Sequence, residues 1–137
     1  MATLKLEIVT PEAKIFSGDV DFVHLPGAEG EMGILPMHQT EIAELKAGEL
    51  QYTQKGKTEI VAIGEGFAEI TADSVSVLTD GAVNEKDIDE KIAEAAVKRA
   101  EELLKSHTLE GEELEATQAA LARSLVQINI KRRRHSA

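Results

Sequence analysis

Cysteine and tryptophan are both absent from the 137 residues of the sequence. The lack of cysteine excludes disulfides, zinc–thiolate sites and thiol nucleophiles. No apolar run approaches the ~20 residues that a membrane-spanning helix needs, and the N-terminal residues lack the basic start and apolar stretch of a signal peptide. We therefore expect a cytoplasmic protein.

Aromatic side chains are scarce, at 3% of the residues, and all of them precede residue 70. They are Phe16, Phe22, Tyr52 and Phe67. Hydrophobic residues make up 42% and charged residues 29% of the chain, which is ordinary for a folded globular protein and argues against disorder. The core must therefore consist mainly of Ile, Val, Leu and Ala.

Negative charge is concentrated in the first part of the chain. Residues 1–84 hold five Lys and fourteen acidic residues (−9), and residues 85–137 hold ten basic and eleven acidic residues (−1), which gives the net charge of −10. The acidic part should repel nucleic acid phosphates. A basic run, defined here as Lys131, Arg132, Arg133 and Arg134, stands near the end of the second part.

The first 80 residues form short segments of strand-like character separated by turn residues. Residues 50–54 and 58–63 flank Lys55-Gly56-Lys57, as in a β-hairpin. Residues 67–71 and 74–78 indicate a second hairpin. Many short strands with regular turns predict a β-sandwich or barrel.

The hydrophobic period changes at residue 84, where helical spacing begins. The segment Asp87-Ile88-Asp89-Glu90 predicts a capped helix start, and a second helix is predicted over about residues 112–130. The predicted apolar stripe of the first helix is Ile88, Ile92, Ala96, Ala100 and Leu103. The predicted stripe of the second is Leu114, Leu121, Leu125 and Ile128.

Both predicted helices are rich in alanine, which favours helix and lets helices approach closely but buries little area. The second helix has a further apolar face that includes Val126 and Ile130, and a lone hairpin cannot bury both faces. One face must lie on the β domain or on another protein. We therefore expect an α+β protein with an all-β sandwich of about ten short strands (1–84) and an antiparallel two-helix hairpin (85–137).

No motif in the sequence indicates catalysis. The glycine-rich segment 27–33 lacks the Gly-Lys-Ser/Thr ending of a phosphate loop, and its glutamates would repel phosphate. It is either a turn between strands or an exposed contact loop. No Ser-His-Asp order or metal-ligand spacing occurs around the four histidines; they are His24, His38, His107 and His135. His24 is expected in a half-buried strand and His38 at a surface or interface.

The basic run has three interpretations. It is a solvated helix end, an electrostatic contact for an acidic partner, or, less consistent with the acidic remainder, a nucleic-acid contact.

Several segments, taken in order, resemble one family. They are Leu6-Glu7-Ile8-Val9-Thr10-Pro11-Glu12, Ile15-Phe16-Ser17-Gly18-Asp19-Val20, Leu25-Pro26-Gly27, Glu29-Gly30-Glu31, Gly33-Ile34-Leu35-Pro36, His38 and Gly66-Phe67-Ala68-Glu69-Ile70. With the helical hairpin they resemble, over nearly the whole chain, the epsilon subunit of bacterial F-type (rotary) ATP synthases. One departure lies in the loop: Met37 follows Pro36 where the family usually has Gly.

The resemblance implies a non-catalytic subunit, peripheral at the cytoplasmic face of the cell membrane, that couples rotation of the c-ring to the catalytic head through the gamma subunit. It also implies that the hairpin can extend along the stalk and inhibit ATP hydrolysis. The implied contacts with gamma and the c-ring are Glu29, Gly30, Glu31, Met32, Gly33 and His38. The implied contacts with the catalytic beta (and alpha) subunits are Arg123, Lys131, Arg132, Arg133 and Arg134.

Some family members bind ATP at the hairpin, and here the resemblance is partial. The residues that match are Asp89, Arg99 and Arg123. Ile92 and Gln127 stand where the family has Arg, and Val83 where it has Glu. Each lost charge-assisted contact costs roughly 1.5–3 kcal/mol, so we predict weak or absent ATP binding and no other cofactor.

A second hypothesis from a different class is a free-standing regulator that binds a small molecule and uses the hairpin as its sensor. It requires a small-molecule pocket and a hairpin that folds only with ligand.

Overall fold

The computed structural model describes residues 2–106 and 108–136, the last three of these by their backbone alone. Ten strands come first: β1 (Leu4–Val9), β2 (Lys14–Val20), β3 (Phe22–Gly27), β4 (Gly30–Ile34), β5 (Glu41–Leu45), β6 (Gly48–Gln54), β7 (Lys57–Ile63), β8 (Gly66–Ile70), β9 (Ser74–Thr79) and β10 (Ala82–Asn84). A 3-10 turn (Glu85–Asp87) then leads to α1 (Glu90–Ser106) and α2 (Gly111–Ser136).

The strands form one sheet folded over into two layers. Their order is β10-β7-β6-β3-β5-β8-β9-β1-β2, with β4 paired to the free side of β3. A single pairing, Gly27 with Leu45, joins the layers between β3 and β5. The last strand in the order, β2, also contacts the first layer: the side-chain amide of Gln54 in β6 donates to the carbonyl of Asp19 in β2 at 2.8 Å. All strand pairs are antiparallel except β1 with β9, which is parallel.

The core between the layers is aliphatic, as the composition predicts. Inward positions alternate along each strand, so that Leu4, Leu6 and Ile8 of β1 are fully buried. The only ring contact in the described residues joins Phe16 and Tyr52, with ring centroids 4.4 Å apart. The predicted β-sandwich of about ten short strands followed by two helices is confirmed.

Helix α1 begins at the predicted acidic segment. The Asp89 carboxylate accepts hydrogen bonds from the backbone N–H groups of Lys91 at 3.0 Å and Ile92 at 3.1 Å. These groups have no partner within the helix, so Asp89 acts as the N-cap.

The predicted apolar stripe of α1 is wrong in part. Ile92 is 69% exposed and Leu103 is also exposed, whereas the buried positions are Ala93 and Ala100. The stripe was phased on Ile88, but Ile88 has extended backbone before the cap and does not belong to the helix. Since its seam is formed by alanines, α1 can approach α2 closely.

Helix α2 lies on the sandwich through its second apolar face. Ile130 is 2% exposed and forms a cluster with Ala62 of β7 and Ile88, against which Val126 also packs. The sequence left open whether this face meets the sandwich or another protein, and in this structure it meets the sandwich.

Helix α2 differs from its prediction in two respects, its end and its apolar stripe. The helix continues to Ser136, beyond the predicted end near residue 130, so the basic run lies within its last turns. Of the predicted stripe, Ile128 is buried, but Leu125 is 42% exposed. Among the described residues, no helix is both long and apolar enough to cross a membrane.

The docking of α2 on the sandwich can be weakened at one side chain. Replacing buried Ile130 with Ala should cost about 2–4 kcal/mol of docking free energy, because it leaves a cavity in the cluster. The matched control is Leu125→Ala on the same helix, where the exposed side chain loses much less. Hydrogen exchange of the α2 amides measures the effect. Equal protection in the two variants would show that Ile130 does not fix the helix.

Candidate docking and regulatory sites

The β3–β4 hairpin carries most of the predicted rotor contacts at its tip. Glu29, Gly30 and Glu31 are exposed. The N–H of Ala28 donates to the carbonyl of Glu44 at 2.8 Å, which ties the turn to β5. The tip is therefore a turn between strands and also an exposed surface, so the two interpretations of this segment are compatible.

The remaining predicted contacts differ in accessibility. Met32 is half-buried and packs on the core. Gly33 lies against the Phe22 ring, and a Cβ at this position would come within 3.1 Å of that ring. Both residues shape the hairpin, but Gly33 is exposed like the residues at the tip, so only Met32 is partly inaccessible to a partner.

An acidic groove separates this hairpin from β5. Its volume is about 550 Å³. Its lining includes Glu29, Glu31, Glu41 and Glu44, together with the side chains of Met32 and Ile42. At one wall, a carboxylate oxygen of Glu31 lies 3.5 Å from His24 Nε2. The arrangement suits a partner with basic groups.

The loop between β4 and β5 holds His38 in a defined position. Its Nδ1 lies 2.7 Å from the carbonyl oxygen of Gln39, to which the protonated nitrogen donates. Its Nε2 is 4.0 Å from Glu41. The preceding N–H, of Met37, donates to the carbonyl of Ala72 at 2.7 Å. The loop is thus fastened to the β8–β9 turn.

An apolar outer face lies on the layer β5-β8-β9-β1. We define it as Ile42, Phe67 and Leu78, all exposed large hydrophobic side chains. Phe67 is paired with Leu78 across β8 and β9. Ile42 pairs with Glu69, two residues from Phe67 on the same face of β8.

Sequence reasoning missed the apolar outer face, although a signal was present. Phe67 alternates with the buried Ala68, and Leu78 with the buried Val77. Alternate residues of a strand face outward, and large hydrophobic residues at these outward positions indicate an interaction surface.

Arg123 of α2 is bound in a trough on the sandwich. Its guanidinium donates to the Asp80 carboxylate at 2.9 Å. Gly64 and Gly81 make room for it: a Cβ at Gly64 would lie 2.9 Å from Arg123 Cδ and 1.8 Å from Asp80 Oδ1. No larger residue than glycine is compatible with this contact at position 64.

The basic run is also engaged with carboxylates in this arrangement. Arg132 bonds to Glu94 of α1 at 3.1 Å. Arg133 bonds to Glu49 of β6, and that hydrogen bond raises the pKa of the guanidinium. Lys131 is half-buried. The side chain of Arg134 lies outside the described residues.

The three residues that match the nucleotide-binding motif have separate environments. Asp89 caps α1, Arg123 is paired with Asp80, and Arg99 is exposed on α1. The pocket beside Arg123 includes Val83 and Gln127, two of the three replaced positions, and has a volume of only about 80 Å³. Ligand pockets of ~300 Å³ or more are usual, so this pocket is too small for a nucleotide.

A second depression runs along the outer side of the hairpin, with a volume of about 560 Å³. Leu125 and Ile128 form its floor, and Lys91 and Arg132 stand among its polar groups. It is the part of the hairpin that corresponds best to the pocket required by a ligand-binding regulator.

Comparisons with known proteins give one consistent result. The family model "ATP synthase, Delta/Epsilon chain, beta-sandwich domain" matches residues 3–85, and "ATP synthase, Delta/Epsilon chain, long alpha-helix domain" matches residues 86–132. An ATP synthase epsilon chain of Pelotomaculum thermopropionicum is 46% identical over 106 residues, 77% of this chain and 79% of that one. One of Dehalococcoides mccartyi is 41% identical over 137 residues, 98% of each.

A solved structure is similar over most of the chain. A chain of the Euglena gracilis mitochondrial ATP synthase, determined as OSCP/F1/c-ring in rotational state 1, superimposes with a TM-score of 0.73 at 25% identity. The match covers 92% of this chain and 79% of that one.

The Asp80–Arg123 pair should contribute a small, salt-sensitive coupling. The two side chains are 40% and 35% exposed, so a double-mutant cycle with Asp80→Asn and Arg123→Gln should give about 0.5–1 kcal/mol at low salt and less at ~1 M salt. Urea unfolding provides the measurement. The control cycle is the surface pair Lys57–Glu59, with a coupling near zero. Additive single substitutions at Asp80 and Arg123 would contradict the pairing.

Proposed function

Since the chain belongs to the delta/epsilon chain family of ATP synthases, we propose that it is a non-catalytic subunit of the central stalk. In this role it transmits rotation of the c-ring to the catalytic head through the gamma subunit. The observation that carries the proposal is the apolar outer face on a rigid β-sandwich. The chain reaches the cytoplasmic face of the membrane through the complex.

The apolar outer face is the proposed contact with gamma. Ile42, Phe67 and Leu78 expose hydrophobic area to water in the isolated chain, and burying that area stabilises a complex by roughly 25 cal/mol per Å². The same side of the layer also carries exposed Glu44 and Glu69, the cross-strand partners of Phe67 and Ile42. The contact would therefore combine an apolar centre with carboxylates, as stable interfaces do with their polar rims. A subunit that carries torque requires this kind of interface.

The acidic tip is the proposed contact with the c-ring. Glu29 and Glu31 project beyond the sandwich on a two-stranded support, and their charges attract basic groups without fixing one rotamer. Met32 and Gly33 set the geometry of the hairpin. His38 lies in the loop that leads to β5. Its neighbour Glu41 lines the acidic groove.

The hairpin is the proposed regulatory element. In the folded state, Asp80 and Glu49 of the sandwich bind Arg123 and Arg133. In an extended state the same arginines, together with Lys131, Arg132 and Arg134, would contact an acidic surface of the catalytic beta and alpha subunits. Because one arginine cannot satisfy both sets of carboxylates, the folded and extended states exclude each other.

Binding of gamma should depend on the apolar outer face. Phe67 is 54% exposed, so Phe67→Asp should leave the fold intact and weaken binding to the purified gamma-containing head at least tenfold, or about 1.4 kcal/mol. Ile92→Asp makes the same chemical change at an exposed site on α1 and is the matched control. Biolayer interferometry gives both affinities. Equal affinities would remove this face from the proposed interface, and no binding by the unaltered chain would refute the proposed function.

Two changes in the basic run and its partner should alter inhibition in opposite directions. Glu49→Gln removes the carboxylate to which Arg133 is hydrogen-bonded and should raise the ratio of extended to folded hairpin about two- to fivefold, since a partly exposed pair contributes ~0.5–1 kcal/mol. ATP hydrolysis by the assembled complex should therefore fall. Truncation after Ile130 removes the basic run, so hydrolysis should rise.

Two controls accompany the hydrolysis measurement. Truncation after Arg134 shortens the chain and keeps the basic run. Glu7→Gln removes a carboxylate that lies 3.3 Å from Lys14 on the other layer. If Glu49→Gln and the truncation change hydrolysis in the same direction, the arginines are not shared between two states.

A further inference from the structure

Met37 has a backbone conformation that its side chain disfavours. Its φ is +71°, and among the described residues the only other non-glycine residue with positive φ is Lys55, at +51°. Lys55 stands beside Gly56 in the β6–β7 turn, where both central positions of a two-residue hairpin loop require positive φ. Met37 follows Pro36 in a turn of the loop between β4 and β5. A turn with Pro at its first central position and positive φ at its second favours Gly or Asn at that second position, so the turn explains the backbone conformation and a methionine there is strained.

The side chain of Met37 carries a second unfavourable feature. It is 80% exposed, so nothing within the chain compensates for placing a large apolar group in water. Its backbone is nevertheless held firmly, by the hydrogen bond from its N–H to the Ala72 carbonyl. Glycine would remove both the strain and the exposure. Residues kept in strained conformations cluster at sites of binding and catalysis.

The position of Met37 connects it to the apolar outer face. Ala72 lies two residues after the end of β8, and the last residue of β8, Ile70, is paired with Glu41 at the start of β5. Met37 is therefore held at the end of the layer where Ile42 begins the apolar outer face. Leu35, two residues earlier, is also exposed. Exposed apolar side chains are therefore present on the loop as well as on the layer.

We propose that Met37 is an anchor residue that inserts into an apolar pocket of the gamma subunit. The proposal rests on the proposed function and assigns a specific contact within it. Gamma, and not the c-ring, is the partner because Met37 and Leu35 are exposed apolar side chains near the Ile42 end of the apolar outer face, whereas the tip of the β3–β4 hairpin carries Glu29 and Glu31. Ile42 borders both surfaces. A flexible, unbranched thioether side chain suits a partner pocket of irregular shape.

The test separates the strain in the free chain from the contribution to binding. Met37→Gly relieves the backbone, Met37→Asn tolerates positive φ and removes the apolar group, and Met37→Leu keeps an apolar group. Lys55→Gly is the matched control, because it relieves a positive φ on the β6–β7 turn. Thermal unfolding of the full chain and affinity for the gamma-containing catalytic head are measured for each.

In the free chain, Met37→Gly and Lys55→Gly should each raise the unfolding midpoint by about 2–4 °C, because relief of strain exceeds the added entropy of glycine in the unfolded chain. In the complex, Met37→Gly and Met37→Asn should lower affinity at least tenfold. Met37→Leu and Lys55→Gly should bind like the unaltered chain.

Unchanged affinity of Met37→Asn, with normal binding by the unaltered chain, would overturn the anchor and leave the proposed function standing. A lower unfolding midpoint for Met37→Gly would overturn the argument from strain. Failure of the unaltered chain to bind would instead refute the proposed function. The proposal would also be overturned if Met37→Gly and Met37→Asn lost binding to an isolated c-ring and kept normal binding to gamma.

Discussion

Helix α2 has apolar side chains on two faces, and the arrangement of the C-terminal half depends on covering both of them. Helix α1 covers one face through an alanine seam, and the sandwich covers the other through Ile130 and Val126. Alanine buries little area, so the helix–helix contact is weak relative to one formed by leucines. The cluster around Ile130 is small as well. The hairpin is therefore held by two modest contacts, which is compatible with an element that has two positions.

The sequence predicted the parts of the structure that depend on local spacing. Alternation of apolar residues located the hairpins. The acidic segment 87–90 located the start of α1, although the residue that caps the helix is Asp89 and not Asp87, which has Glu three residues after it and lies in the preceding 3-10 turn. Helix phase was harder, since Ile88 belongs to the pattern by spacing but precedes the helix. Contacts between distant segments were beyond prediction: nothing near Arg123 in the sequence identifies Asp80 as its partner, or Gly64 as the residue that makes room for it. The resemblance nevertheless named Arg123 as important.

The uneven charge has a structural counterpart in the folded state. The acidic sandwich supplies Asp80 and Glu49 to arginines of the nearly neutral helical part. These pairs are partly exposed, so ions in solution screen them over ~10 Å at 0.1 M salt, and their contribution to stability is small. The two pairs join α2 to different parts of the sandwich, one at Asp80 after β9 and one at Glu49 in β6.

The parallel pairing of β1 with β9 has a consequence for how the chain is made. Leu6 of β1 is paired with Val75 of β9. Strand β1 is synthesised first, and of its two neighbours β2 follows at once, whereas β9 is synthesised only after β3 to β8. Until then the fully buried side chains of β1 are exposed to water and to other chains. Closure of this contact requires a long loop, and such non-local pairing slows folding. The nascent sandwich is therefore most vulnerable to misassociation just before residues 74–79 emerge.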